Sequence, residues 1–132
     1  MGLVRFVRYL VISKLSGSQS IDVLKLLGEG YTYREIANIT GLRYAQVKGY
    51  MLYAMNLYGS SAKVRAMIKY LMPIVEKIEP IVKDGWCLIC NTKVDGMYSN
   101  PIQTHINTKH RDLVDAYERW VMFELYRTAI KT

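Results

Sequence analysis

The chain has 132 residues, 51% of them hydrophobic, and a formal net charge of +7. That length makes one domain or two small ones with a real core, and the absence of any apolar run of about 18 residues argues against a membrane-spanning helix. The charge is uneven: residues 1–59 carry seven Lys/Arg against three acids, residues 60–83 five against two, and residues 84–132 six against six. A polyanion should therefore meet the N-terminal two-thirds, leaving the C-terminal third electrostatically fit for protein contacts.

The first predicted element runs from Met1 to Leu15, where Arg5 and Arg8 sit among Leu3, Val4, Phe6, Val7, Leu10, Val11 and Ile12. Arginines inside the apolar stretch, with no small-residue cleavage site after it, read as a structural element of the mature protein and not as a signal peptide. Intracellular residence is the corresponding expectation. Next, Ser20-Ile21-Asp22-Val23-Leu24-Lys25-Leu26-Leu27 has a helix cap and a helical apolar stripe, closed by Gly28-Glu29-Gly30.

Thr32-Tyr33-Arg34-Glu35 is a capping box that opens a further helix. Ile36, Ala37 and Ile39 follow, then Gly41-Leu42, then a helix with Val47 and Tyr50 on its inner side. Ala37 is small where two helices cross closely, Gly41 can take the positive φ of a sharp turn, and Ile36, Leu42, Val47 and Tyr50 form a wedge that sets the interhelical angle. The phrase from Leu26 to Ala37 resembles the trihelical helix-turn-helix domains of sigma-factor region four and of LuxR-type regulators. The resemblance covers about residues 20 to 58 and departs at Ala45-Gln46-Val47-Lys48-Gly49, where a small-polar run ending in Lys-Ser is more usual. It implies sequence-specific binding of double-stranded DNA.

With Val47, Tyr50 and Ala54 facing inward, Ala45, Lys48, Gly49 and Leu52 turn away, and Arg43 and Tyr44 occupy the first turn, where recognition helices reach base edges. Arg43 suits guanine, Lys48 guanine or a phosphate, and Gln46 adenine or the backbone. Ala45 and Gly49 are small enough to let the helix sit deep. Tyr33 and Arg34 are placed for phosphates. Met51, Leu52, Tyr53 and Met55 are residue types more often found in a core than at a contact.

A helical connector spans residues 60–83, with Val64, Met67, Ile68, Leu71, Val75 and Ile78 at helical spacing. Pro73 should kink or divide it, and Pro80 with Asp84-Gly85 marks a boundary.

The last region, residues 84–132, holds every cysteine and histidine of the chain: Cys87-x2-Cys90-x14-His105-x4-His110. Two thiolates from a tight knuckle and two imidazoles from a helix are the ligand set of tetrahedral Zn2+. A Cys-x-x-Cys is also compatible with a redox pair or a disulfide, but no strand-helix frame of the thioredoxin type surrounds this one and no further cysteines suggest a secreted scaffold. Val94 and Ile102 stand where Cys2His2 zinc fingers keep apolar cover, and residues Trp86 to Arg111 resemble that family, with a spacer about two residues longer than usual. The resemblance implies a ββα-like finger. Asp95-Gly96 suits a hairpin turn, and Asn100-Pro101 an N-cap and first helical residue. Histidines five apart diverge on an ideal helix, so a local tightening or loosening is expected there. Four ligands close the site, making the metal structural. The finger positions Tyr98, Ser99, Asn100, Pro101 and Thr104 offer no Arg or Lys, so the finger is expected to brace the fold and leave DNA alone.

After the finger, Leu113, Tyr117, Trp120, Val121, Glu124, Leu125 and Tyr126 suggest an amphipathic helix continuing the histidine helix. Asp112, Asp115 and Glu118 read as its solvated face. This helix and the N-terminal segment are the two candidate homodimer surfaces. No catalytic constellation is present, so neither an enzyme nor a small-molecule substrate is expected.

The expected architecture is mostly α: a trihelical helix-turn-helix bundle (1–59), a helical connector (60–83), and a small Cys2His2 zinc finger with an extended C-terminal helix (84–132). The expected role is transcription regulation. The alternative is a protein-protein interaction module, such as a polymerase subunit or virion component, and a third reading is RNA binding. The combination in so short a chain also resembles regulators carried by archaeal viruses and plasmids.

Overall fold

The computed structural model describes residues 2–94 and 101–131, with side chains to residue 128. It is mostly helical: α1 (Gly2–Ser16), α2 (Ser20–Gly28), α3 (Tyr33–Thr40), α4 (Tyr44–Tyr58), α5 (Ser61–Val75), α6 (Pro101–Lys109) and α7 (Arg111–Lys131). Between α5 and α6 lies a three-stranded antiparallel sheet of two-residue strands in the order β1 (Val82–Lys83), β2 (Trp86–Cys87), β3 (Thr92–Lys93). None of the described helices is long and apolar enough to cross a membrane.

Helix α1 is the hub. Phe6, Val7, Leu10, Val11 and Leu15 have no exposed surface, and α1 packs against α4 on one side and against α6 and α7 on another. The Phe6 ring stacks on Tyr58 at 5.4 Å, and Tyr9 meets Tyr53 edge-on at 4.9 Å. Toward α7, the Arg8 guanidinium donates to Asp115 and Glu118, each at 2.8 Å. These two acids are thus partners of α1 and not a freely solvated face. The hydrophobic side of α1 is spent within the molecule, whereas α7 leaves Phe123 and Tyr126 exposed.

Helix α2 begins at Ser20, but Ser20 is buried and it is the Ser18 hydroxyl that accepts its N–H at 3.2 Å, so the capping oxygen comes from two residues earlier than the sequence suggests. Helices α2 and α5 touch at Gly28, where a Cβ would lie 2.6 Å from Ile68 Cγ2; no larger residue fits this crossing. Arg65 of α5 closes the exit of α2 by donating to the carbonyls of Leu27 at 2.9 Å and Tyr31 at 3.0 Å, a cation placed where a helix C-terminus is most negative. Pro73 does not divide α5. It falls in the last turn, two residues before the helix ends, so the helix has little left to lose to it.

The capping box of α3 forms as expected: Glu35 N–H donates to Thr32 Oγ1 at 3.2 Å and Thr32 N–H to Glu35 Oε1 at 2.9 Å. Gly41 ends α3 at φ 76°, in the left-handed region that an L side chain enters at a cost of about 1–2 kcal/mol. Only Ile36 of α3 is fully buried, facing the buried Val47, Met51 and Ala54 of α4 within one hydrophobic core.

Asp84-Gly85 is not a boundary. Both residues have positive φ, 52° and 82°, the signature of a two-residue type I′ hairpin turn, and they join β1 to β2 with Lys83 opposite Trp86. The sheet is tied to α1 through Ile81 N–H, which donates to Leu15 O at 2.8 Å. Asp95-Gly96 and Asn100 lie outside the described residues.

Candidate metal centre and candidate nucleic-acid interface

The Cys87-x2-Cys90 pair sits on a tight turn after β2. The Cys90 N–H points at Cys87 Sγ (3.4 Å), and Asn91, at φ 57°, donates its N–H to Cys87 O at 2.8 Å. Asparagine is one of the few residues that accept this left-handed conformation readily. His105 comes from the second turn of α6. His110 falls in the single-residue gap between α6 and α7, bonded on both sides: its N–H donates to Ile106 O, and its own carbonyl accepts from Val114 N–H, each at 3.0 Å. A five-residue spacing is about 140° out of phase on a straight helix, and the bend at His110 is where the chain departs from one. The two rings end 5.0 Å apart and nearly perpendicular.

The four donor atoms of Cys87, Cys90, His105 and His110 lie within 4.8 Å of one another and could hold a metal ion. Cys87 Sγ is 3.3 Å from His110 Nε2, while Cys90 Sγ is 3.1 Å from His110 Nε2 and 3.6 Å from His105 Nε2. Partial desolvation and the adjacent Cys87 push the Cys90 thiol up. Desolvation and the neighbouring His110 push His105 down, which favours the neutral imidazole a metal requires. Cys87 is fully buried and Val94 nearly so, with Ile102 partly covered. Around the knuckle, Trp86, Leu88 and Ile89 remain largely exposed.

Every residue nominated from the sequence for DNA contact on α4 reaches solvent. Arg43, Tyr44, Ala45, Gln46, Lys48 and Gly49 are exposed, while Val47 is buried and Tyr50 half-buried. One of them is partly engaged: Gln46 Oε1 accepts the Arg43 N–H at 3.0 Å, so this side chain closes the first turn of its own helix. Leu52, which helical geometry turns outward, and Tyr53, whose residue type favours the core, are about half exposed, because α4 turns its opposite face, Met51 and Ala54, toward α1 and α3. Both have apolar or aromatic character that composition alone assigns to the interior.

Tyr33 and Arg34 line an open cleft of about 500 Å³ with Thr32, Tyr44 and Arg65. The rings of Tyr33 and Tyr44 meet edge-on at 5.9 Å, joining the starts of α3 and α4. Arg65 is the member that sequence reasoning missed. It stands more than twenty residues from the others, on a connector read only for its apolar stripe, and only the packing of α5 beneath the end of α2 brings it there.

Comparison of the chain with protein-family models, with curated proteins and with solved structures returns no match.

Proposed function

We propose that the protein binds double-stranded DNA through α4, acting as a transcription regulator whose far end is closed by a structural Zn2+. The observation that carries the DNA reading is the disposition of α4. Its buried Val47, Met51 and Ala54 clamp it to α1 and α3, while Arg43, Tyr44, Ala45, Lys48 and Gly49 stand outward on a face of small and basic residues. The preceding α3, ended by the Gly41 turn, places Tyr33 and Arg34 beside that face. The arrangement supports a helix-turn-helix reading, in which the second helix would enter the major groove and the first would brace against phosphates. The small Ala45 and Gly49 favour close seating, and the basic excess of residues 1–83 supplies the long-range attraction.

For the metal, Zn2+ bonds of about 2.3 Å to sulfur and about 2.0 Å to nitrogen at tetrahedral angles imply S···N edges of about 3.5 Å. Three of the four S···N edges, at 3.1–3.6 Å, bracket that value. Two thiolates and two imidazoles are borderline-soft donors suited to zinc, and with all four positions filled no site is left for water or substrate, so the ion serves the fold.

A second reading, a protein-binding module, draws on the exposed Trp86, Leu88 and Ile89 at the knuckle and on Leu52 and Tyr53 of α4. A salt series of binding to duplex DNA separates the two. Under the first reading affinity falls steeply with salt, and Lys48→Ala weakens binding and flattens the log-log slope by about one while leaving the circular dichroism unchanged. No retention on duplex DNA at low salt favours the second.

A further inference from the structure

The polar side of α6 faces a cleft that neither the metal nor the outward face of α4 uses. It is open, about 460 Å³ in volume, and lies between α1, α4 and α6, with Arg5, Tyr53, Gln103, Thr104, Asn107 and Thr108 among its lining. We propose that this cleft is a second DNA contact, holding the sugar-phosphate backbone beside the groove that α4 enters. The inference rests on the DNA-binding reading above and gives α6 a role beyond bracing.

Tyr53 is four residues beyond Gly49 on α4, about 40° further round the helix and one turn along. The cleft therefore opens on the flank of the proposed reading face. An α-helix with its side chains is about 10–12 Å across and the major groove about 12 Å wide, so the flanks of a seated helix meet the phosphate walls. Whatever borders α4 on that side is brought against the backbone.

Arginine, hydroxyl and amide donors are the set that proteins use on phosphates and sugars, and no carboxylate lines this cleft. The acids that reach α1 from α7, Asp115 and Glu118, both pair with Arg8, which offsets one of their two charges and holds them on the α7 side of its guanidinium. The same guanidinium donates to Asn107 Oδ1 at 3.2 Å, which turns the amide so that its NH2 is left for a ligand. Thr108 spends its hydroxyl hydrogen on Thr104 O at 2.8 Å and keeps acceptor capacity only, so the donors would be Arg5, Gln103, Thr104 and Asn107. Arg5 is exposed and makes no ion pair among the described residues. Its charge is thus available to displace one counterion. The open shape suits a chain passing across it better than an enclosed small molecule.

The test uses the full metal-loaded chain and a mixed-sequence duplex several helical turns long, across a salt series. Arg5→Gln should weaken binding for all sequences alike and lower the log-log salt slope by about one. Gln103→Ala with Thr104→Ala should weaken binding at unchanged slope, because no charge is removed, and hydroxyl-radical protection should shorten on one side of the site. If Lys48→Ala weakens binding but all cleft variants bind with wild-type affinity, slope and footprint, the cleft is not a contact and the α4 reading stands. If the wild-type chain does not bind duplex DNA at low salt, both fall. Circular dichroism of each variant confirms folding, and the exposed, unpaired Arg5 makes its replacement the least invasive of the set.

Discussion

Around α2, α3 and α4 the chain closes on itself: Leu24, Leu27, Ile36, Val47 and Met51 have no exposed surface, and α3 carries a complete capping box at its start and a left-handed glycine at its end. Around Cys87 and Cys90 the picture is different. The three strands are two residues each, Thr92 and Lys93 are exposed, and the buried side chains of the sheet and knuckle are Val82, Cys87 and Val94. The first region can pay its conformational entropy from apolar burial. The second has little to bury, so under the zinc reading an ion held by its four donor atoms, which lie within 4.8 Å of one another, would be its principal cross-link. The α2–α4 region should therefore be insensitive to metal and sensitive to its core, and the knuckle the reverse.

Removing the metal is the largest break of that contrast. Apparent binding free energies of structural zinc are about 10–16 kcal/mol at neutral pH in small fingers, so chelation, or Cys87→Ser, should abolish protection of the amides from residue 81 to 94 and red-shift Trp86 fluorescence. Most far-ultraviolet helicity should remain, because α1 to α5 share a core that holds no ligand. Acidification should act the same way, since the site requires deprotonated thiols and neutral imidazoles. Hydrogen exchange over residues 81–94 that is indifferent to chelator would show that the sheet stands by packing alone.

Next in size is the core of the other region. Ile36 is the single buried residue of α3, so Ile36→Ala should cost about 2–5 kcal/mol and cost it locally, freeing α3 from α4 while leaving metal affinity unchanged. Urea unfolding followed by circular dichroism, together with a metal titration, separates the two effects. A matching loss of metal affinity would mean that α1 couples the ends more tightly than the contrast allows.

Much of this division was legible from the chain alone, for reasons that differ by element. That Cys87, Cys90, His105 and His110 come together was legible because a metal-ligand pattern fixes residue types and spacings locally, and the α3 capping box and Gly41 turn were legible because they are local hydrogen-bond and φ requirements. Pairings between distant segments left no such trace. Arg8 with Asp115 and Glu118, Arg65 with the end of α2, and the exposure of Tyr53 depend on which helix lies beside which. Asp84-Gly85 was misassigned because a turn dipeptide marks a hairpin or a boundary equally well until its flanking strands are known, and strands of two residues show no periodicity. The five-residue histidine spacing announced a departure from a straight helix; that the departure is a break shared between α6 and α7 follows from α7 packing against α1.

The smallest effect probes how the proposed DNA face is held. Thr32 and Glu35 satisfy two backbone donors at the start of α3, next to Tyr33 and Arg34. Thr32→Ala should destabilise the protein by about 1 kcal/mol, too little to unfold it, and should fray the turn that carries both side chains. The Thr32 backbone N–H, followed by its hydroxyl, holds the Glu35 carboxyl below the usual range. A depressed folded-state value stabilises above the unfolded value and is lost as pH falls through the folded one, so the cap should fail on the acid side and survive alkali. Were DNA affinity to drop in Thr32→Ala while that of Ile36→Leu held, the start of α3 would be acting through position and not through stability. Equal losses in both would make α3 a passive support for α4, with Tyr33 and Arg34 no closer to the phosphates than any other exposed pair.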